Sequence, residues 1–443
     1  MRGFFCCLAT AVWITQFCAG NSCPVSEAKE AEELSLYAQA AVLMDADSGR
    51  VLYEKNGYSP LAMASTTKIM TCILILENCD LDEKAAVSAY AASMPKVKLS
   101  VQRGEEYEIR SLLFSLMLES HNDTAVVLAE HLGSRYLPEE LREKSVAEYT
   151  AEESKMAVKA FANLMNEKAR ELECRDTWFI TPNGLDATET VETDTGEILQ
   201  KEHCTTAADL ARIMTYCVKE SPGRDVFREI TAAPSYSFYE NGRNVSCVNH
   251  NAFLHMMDGA FSGKTGYTNK AGYCYVGALE DDGRTFIVTL LGCGWPNNKT
   301  YKWSDTRELM EYGLQNFVKR EIGGTDAVFD ESVLRPIPVE NAQTDALTGE
   351  VSVSVEILER HDEEAGQDTG TREVLMREDE KVEVDYDVKR VLEAPVEPGT
   401  RVGGVRYSVD GKTYLTETIV TGKGVKAVDL KWCVEQVLRR FWI

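Results

Sequence analysis

The chain has 443 residues, long enough for one large domain and a smaller one, each with a core of its own. Hydrophobic residues make up 44% and charged residues 27%, an ordinary balance for a folded soluble protein, and no internal run approaches the roughly 18 apolar residues of a membrane span. The formal net charge of −24 excludes a nucleic-acid partner, because a phosphate-binding surface needs a basic face.

At the N-terminus, Arg2 precedes an apolar stretch from Phe4 to Trp13, and small residues follow at Cys18, Ala19 and Gly20. This pattern reads as a secretory signal peptide over residues 1–20 and places the mature chain outside the cytoplasm. Cleavage after Ser22 would instead make Cys23 the first residue, as in a lipoprotein. Gly20-Asn21-Ser22 lacks the aliphatic residue expected three positions before such a cysteine. Export without lipidation is therefore the expectation.

Cleavage after Gly20 leaves 10 of the 13 cysteines. Cys72 and Cys79 lie seven apart on what reads as one helix, about 10 Å along its axis and too far for a disulfide. No C-x-x-C pair follows the leader and the six histidines form no H-E-x-x-H, so neither a metal nor any other cofactor is expected.

Residues 40–53 read as a hairpin, with Ala41-Val42-Leu43-Met44 and Val51-Leu52-Tyr53 on either side of a turn at Asp47-Ser48-Gly49. A helical pattern begins near Ser65, with Ile69, Met70, Ile73, Leu74 and Leu76 on its apolar face. Further helices are predicted over Ile109–Leu118, Asp123–Leu132, Met156–Leu172 and Thr206–Val218, interrupted by acidic irregular stretches near 134–155 and 186–201. Strands return at Tyr273–Leu279 and Thr285–Leu291 around the turn Asp281-Asp282-Gly283, and a last helix covers about Ser304–Lys319. Strands at both ends with helices between them imply that the ends pair in one sheet and the helical part is inserted as a lobe, an α/β layered domain over 36–322. After Gly323-Gly324, alternation at Val351–Val355 and Val382–Tyr386 and turns at Gly403-Gly404 and Asp410-Gly411 mark a smaller β-rich domain over 330–422. Residues 351–400 carry 15 acidic and 6 basic side chains, read as a solvated acidic surface.

Three short segments carry chemistry. Ser65 and Lys68, three apart on a helix, share one face, and a desolvated lysine can take the proton of a serine that attacks a carbonyl. The pattern is common by chance. Ser120-His121-Asn122 links two helical segments and would present Ser120 and Asn122 from the lobe; Asn122 also suits a helix N-cap. Lys264-Thr265-Gly266 places a cation and a hydroxyl on an edge strand, suited to a substrate carboxylate, with a glycine that lets ligand backbone approach. A phosphate loop is excluded, since no G-x-x-x-x-G precedes Lys264-Thr265.

S-x-x-K, S-x-N and K-T-G in this order are the set of the penicillin-binding proteins and serine β-lactamases. The chain resembles the low-molecular-weight penicillin-binding proteins, the serine-type D-alanyl-D-alanine carboxypeptidases. Matching segments are Met63–Thr71, Asn122–Ala125, Pro182–Asp186, His203–Asp209 and Gly263–Asn269, close over about 40–320 and looser over 330–443. The resemblance implies a transpeptidase-like antiparallel sheet with flanking helices. It implies that Ser65 attacks the carbonyl between two D-alanines of a peptidoglycan stem peptide while Lys68 accepts its proton. Ser120 would relay a proton to the leaving amine, Asn122 would hold substrate backbone, and Lys264 and Thr265 would hold the terminal carboxylate. The N–H groups of Ser65 and Tyr267 would form the oxyanion site. Gly266 lies between Thr265 and that donor, and β-lactams would acylate Ser65.

Two departures stand out. His121 occupies a position that is usually glycine and is expected to line the site rim, and the acidic insertion near 134–155 is longer than the family pattern. Residues 425–443 form an amphipathic pattern in which Val425, Val428, Trp432, Val437, Leu438, Phe441 and Trp442 share an apolar sector, with four basic and two acidic residues in the segment. It resembles the family's C-terminal membrane anchor, lying in the interface at the outer face of the cytoplasmic membrane; the alternative is a helix packed on the β domain. A class A β-lactamase would need an E-x-x-L-N segment between Asn122 and Lys264, which is missing, and a Ser-His-Asp hydrolase would need a G-x-S-x-G. A scaffold without activity is disfavoured by the intact motif side chains.

Overall fold

The computed structural model describes residues 34–192, 196–323, 334–345, 349–358, 369–370 and 372–441; the predicted signal peptide, Cys23, Gly324, Trp442 and Ile443 lie outside them. Five strands form the central sheet: β1 (Ala40–Asp45), β2 (Arg50–Lys55), β3 (Ala260–Thr268), β4 (Gly272–Asp281) and β5 (Arg284–Leu291). Their order is β2-β1-β5-β4-β3, and every pairing is antiparallel. The N-terminal hairpin thus joins the late strands through β1 and β5, with Ala40 opposite Leu291 and Asp45 opposite Phe286. The expected closure of the two ends into one sheet is what the chain does, and it leaves β3 as an exposed edge.

Helices α1 (Lys68–Asn78), α2 (Asn122–Gly133), α3 (Ala151–Glu171), α4 (Ala207–Thr215) and α5 (Arg224–Ala232) lie between the strands in sequence, and α6 (Tyr301–Asn316) follows them. All six residues of β1 are buried, because both faces of the sheet are covered. Val42, Met44 and Ile287 pack with Ile69, Ile73 and Ile213 of the helical lobe, whereas Leu43, Phe286 and Val288 pack with Leu309 and Met310 of α6. A third apolar cluster, including Ile337, Val374, Val405, Tyr407 and Ile419, belongs to the β-rich part. There, Val355–Ile357, Lys412–Thr421, Arg401–Val409 and Glu383–Val388 form a sheet in that order, with Thr369–Gly370 added on Lys412–Thr421. Arg50 of β2 docks this part on the first: its buried guanidinium donates to the Leu375 carbonyl at 2.7 Å and, through two nitrogens, to the Glu380 carboxylate at 2.9 and 2.8 Å.

Several segments depart from the sequence expectations. Residues 186–201 are not irregular throughout: Thr188–Glu192 pairs with Ile198–Glu202. No residue of either strand is fully buried, so no apolar face betrays the period of two. A second hairpin, Ser235–Glu240 with Arg243–Val248, turns at Asn241-Gly242, both at positive φ, a strong local signal that the helical reading of the neighbourhood passed over. The last helix stops at Asn316, and Val318–Glu321 pairs as a strand with Glu373–Met376. Val351–Val355 is split, Val351–Val353 entering one sheet and Val355–Ile357 another. The insertion near 134–155 holds short turns at Ser134–Tyr136, Glu139–Arg142 and Val146–Glu148 before α3 begins at a capping box on Thr150 and Glu153.

Inside the lobe, α2 carries a fully buried carboxyl. Glu130 accepts from Ser88 Oγ at 2.8 Å, Ser154 lies beside it, and burial pushes its pKa up to about 7. The folded state therefore holds this proton more tightly than the unfolded state, and stability falls as pH rises from the ordinary carboxyl value to about 7. Glu130→Gln is expected to be more stable than the parent by about 3 kcal/mol at pH 8, with the gap closing by pH 4.5. Denaturant midpoints at both pH values check this; an equal gap at the two would refute the assignment.

Candidate active site

Ser65 sits on a 3-10 turn, Ala64–Thr67, that leads directly into α1. The turn is tied by Thr66 Oγ1 donating to the Met63 carbonyl at 2.7 Å and Thr67 Oγ1 donating to the Ala64 carbonyl at 2.8 Å. His203 braces it from below. Its Nδ1 accepts from the Ile180 N–H at 3.0 Å, which leaves Nε2–H to donate to Thr67 Oγ1 at 2.8 Å. Burial drives the His203 pKa down to about 3, so this histidine is a neutral structural strut. Gly184, at φ +83°, lies so close that a Cβ would stand 1.9 Å from the Ala64 carbonyl oxygen, which fixes glycine there.

Lys68 is fully buried, and Nζ lies 2.8 Å from Ser65 Oγ, 3.0 Å from Asn122 Oδ1 and 2.6 Å from the Asn183 carbonyl oxygen. Desolvation, followed by the nearby Lys264 ammonium, holds its pKa well below the usual lysine value against the pull of Asp123. A neutral amine has two N–H donors and one lone pair. In that form, with both donors engaged by Asn122 and Asn183, the lone pair would face the Ser65 hydroxyl.

The helical lobe supplies the second motif through Ile109–Phe114, a wider turn over Ser115–Glu119, and α2. Ser120 links them in the left-handed region at φ +64°, and its buried Oγ has no hydrogen-bond partner among the described residues. Asn122 is the first residue of α2 and not its cap; His121 holds the cap position without a side-chain capping bond. Asn122 Nδ2 donates to the Pro95 and Lys96 carbonyls at 3.3 and 3.2 Å, which turns Oδ1 toward Lys68. Asp123 accepts from the N–H groups of Leu99, Ser100, Val101 and Thr124 and fastens the preceding loop to the start of α2. His121 does not line the rim as expected: it is absent from the cleft wall, and Nδ1 pairs with Ser115 Oγ at 2.8 Å.

The third motif lies on β3, the free edge of the sheet. Tyr267 stands opposite Tyr273, but Tyr273 bonds the other way, donating to the Gly294 carbonyl at 2.9 Å and accepting from the Cys293 N–H at 2.7 Å. Opposed residues in an antiparallel pair exchange both bonds or neither, so the Tyr267 N–H points off the open edge, and so does the Thr265 backbone two residues away. A Cβ on Gly266 would meet the Ser65 nitrogen at 2.8 Å, which shows how closely β3 passes the start of the Ser65 turn, where N–H groups have no helical partner. Lys264 is buried, donates to the Thr265 carbonyl at 2.9 Å, and has its pKa lowered to about 7 by desolvation.

These elements surround a cleft of about 580 Å³ lined by Ser65, Ser120, Asn122, Thr265, Gly266 and Tyr267 among others. All eight residues singled out in the sequence thus converge on one place, Lys68 and Lys264 from just behind the wall. Sequence reasoning missed three contributors. The Asn183 carbonyl is a backbone group, which no side-chain motif signals. His203 acts only through Thr67. Lys302 of α6 reaches the cleft with its ammonium 4.7 Å from the ring centres of Tyr273 and Trp303, a further buried lysine on the cleft wall.

Comparison with known proteins agrees with this geometry. The family described as D-alanyl-D-alanine carboxypeptidase matches residues 27–136 and 145–294, and the C-terminal domain of penicillin-binding protein 5 matches residues 369–427. The chain is 25% identical over 403 residues to D-alanyl-D-alanine carboxypeptidase DacF of Bacillus subtilis, covering 90% of this chain and 88% of the relative. It is 29% identical over 278 residues to D-alanyl-D-alanine carboxypeptidase DacB2 of Mycobacterium tuberculosis, covering 62% and 82%. The crystal structure of penicillin-binding protein 5 from Haemophilus influenzae superposes with a TM-score of 0.59 at 20% identity, over 89% of this chain and 99% of that one, and so shares the fold of both parts.

Proposed function

Because the chain belongs to the D-alanyl-D-alanine carboxypeptidase family, we propose that Ser65 is its acylated nucleophile and Lys68 the base that activates it. The protein is a serine-type D-alanyl-D-alanine carboxypeptidase of the penicillin-binding class, acting on peptidoglycan stem peptides. The observation that carries the residue assignment is the Lys68 amine, buried, depressed in pKa and oriented by Asn122 and Asn183 onto Ser65 Oγ.

In this reading Ser65 Oγ attacks the carbonyl between the two D-alanines as its proton passes to Lys68. The developing oxyanion lies between the N–H groups of Ser65 and Tyr267, each such donor contributing about 3 kcal/mol in comparable sites. The C–N bond breaks as the departing amine takes a proton delivered through the unpartnered Ser120 hydroxyl, and free D-alanine leaves. Water then attacks the ester and restores Ser65. Asn122 holds the peptide backbone, Lys264, Thr265 and Lys302 hold the terminal carboxylate, and Gly266 lets the substrate lie along β3. A β-lactam carries a carboxylate and a strained amide in the same relation and acylates the same oxygen. Peptide mapping after exposure to a penicillin tests this: the adduct is expected on the peptide containing Ser65, and labelling confined to another residue would overturn the assignment.

The same proposal extends to location and layout. The leader-like residues 1–20 support export to the wall-facing side of the cytoplasmic membrane, with the enzyme over 36–322, the β-rich part over 330–422 and an anchor over 425–443. The last helix, α7 (Leu430–Phe441), supports the anchor: Gln436 is buried and Trp432 half-buried, yet Leu430 is 81% exposed and Val434, Val437 and Leu438 are also exposed, which leaves an uncovered apolar surface. Among the described residues no helix is long and apolar enough to cross a membrane, so this one would lie in the interface. The full chain is expected to float with lipid vesicles and a chain ending at Gly422 to stay behind; equal recovery of both in the soluble fraction would refute the anchor.

A further inference from the structure

The two helices that open at the active site also end together. Lys68 begins α1 and Cys79 caps its far end; Asn122 begins α2 and His131 lies in its last turn. At about 1.5 Å per residue, both ends lie roughly 14–17 Å from the catalytic groups. Glu83, from the turn after α1, completes a cluster in which one ligand atom each of Cys79, Glu83 and His131 lies within 4.8 Å of the others. His131 Nε2 is 2.9 Å from Glu83 Oε2. The sequence signalled none of this, because 52 residues separate Cys79 from His131 and no metal-binding spacing links them.

We propose that Cys79, Glu83 and His131 form a zinc site that clamps the far ends of α1 and α2. Thiolate, imidazole and carboxylate are the ligand types that borderline-soft Zn²⁺ prefers, and three protein ligands leave a fourth tetrahedral position for water. A cation already occupies the neighbourhood. The Arg135 guanidinium donates to Glu83 Oε2, lies 3.0 Å from His131 Nε2, and donates to the Asn78 carbonyl at 2.9 Å. Its side chain is 40% exposed, so it can leave Glu83 for solvent at small cost. The exchange balances: Zn²⁺ replaces the Cys79 thiol proton and the Arg135 contact, and two anionic ligands neutralise the metal. Bound zinc would hold the start of the nucleophile helix and the start of the Asn122 helix in fixed register without touching substrate.

Cd²⁺ titration of the purified full chain under a phosphine reductant tests the site, because a cadmium–thiolate bond absorbs in the ultraviolet. One equivalent of band is expected in the parent, displaced by Zn²⁺. The band should be lost in Cys79→Ser and weakened at least tenfold in affinity in His131→Gln. Arg135→Met removes the competing cation and should tighten binding about tenfold, a gain that misfolding cannot mimic. Zn²⁺ should raise the thermal midpoint of the parent but not of Cys79→Ser, while penicillin labelling of metal-free Cys79→Ser stays at the parental level. An undiminished band in Cys79→Ser, or no tightening in Arg135→Met, would overturn the site; neither outcome bears on the Ser65 assignment.

Discussion

Lys68→Met is expected to slow both D-alanine release and acylation by penicillin by about 10³- to 10⁴-fold while leaving the fold intact. General-base assistance contributes about 10²- to 10⁴-fold, and here the same side chain also orients the nucleophile. Methionine fills a similar volume and removes an amine whose burial is unfavourable when charged. Against this, Asn122 Oδ1 and the Asn183 carbonyl each lose a donor, at about 1–3 kcal/mol for an unsatisfied buried acceptor. The two effects oppose, so the thermal midpoint should move by only a few degrees. Rates with a fluorescent penicillin separate the cases: a loss below tenfold would mean that another group takes the Ser65 proton.

How much of this site was legible beforehand follows from the range of the interactions. Ser65 with Lys68 is a local relation fixed by helical spacing, and Ser120 with Asn122 is two residues long, so both were readable from the chain. Lys264, Thr265 and Gly266 were readable as an edge-strand triplet, and the pairing of β3 with β4 agrees. The convergence of the three came only from their order as a family pattern, since about 200 residues separate Ser65 from Lys264. What stayed hidden depends on backbone or on distant partners. The Asn183 carbonyl that orients Lys68 has no residue signature. The outward Tyr267 N–H is set by Tyr273 turning its bonds to Cys293 and Gly294. His121 looked like a rim residue because it stands between Ser120 and Asn122 in the motif, yet Ser115, six residues back in the lobe, captures its imidazole. In the fold, buried strands such as β1 announced themselves as apolar runs, whereas the hairpin of Thr188–Glu192 with Ile198–Glu202 looked like acidic loop because no residue of it is fully buried and its half-buried face carries Glu189 and Lys201 beside Val191 and Leu199.

Lys264 makes the pH dependence a test of the carboxylate site. Its pKa of about 7 in the free enzyme means that the ammonium, the form that attracts a carboxylate, is lost as pH rises through 7. The profile of kcat/KM reports the free enzyme and is therefore expected to fall on the alkaline side of about 7. Once substrate is bound, its carboxylate stabilises the ammonium, so kcat should hold to higher pH and the alkaline loss should appear in KM. The acid limb has the opposite origin: Lys68 must be unprotonated to accept from Ser65, and its depressed pKa moves that limb well down from the ordinary lysine range. Lys264→Met should lower kcat/KM about 10²- to 10³-fold, the scale of losing one partner of a buried charge pair, and abolish the alkaline limb. It should also shift the acid limb upward, because the Lys264 charge is one of the two forces holding the Lys68 pKa down. A variant that keeps the alkaline limb would place the carboxylate elsewhere, with Lys302, which also lines the cleft, the alternative partner.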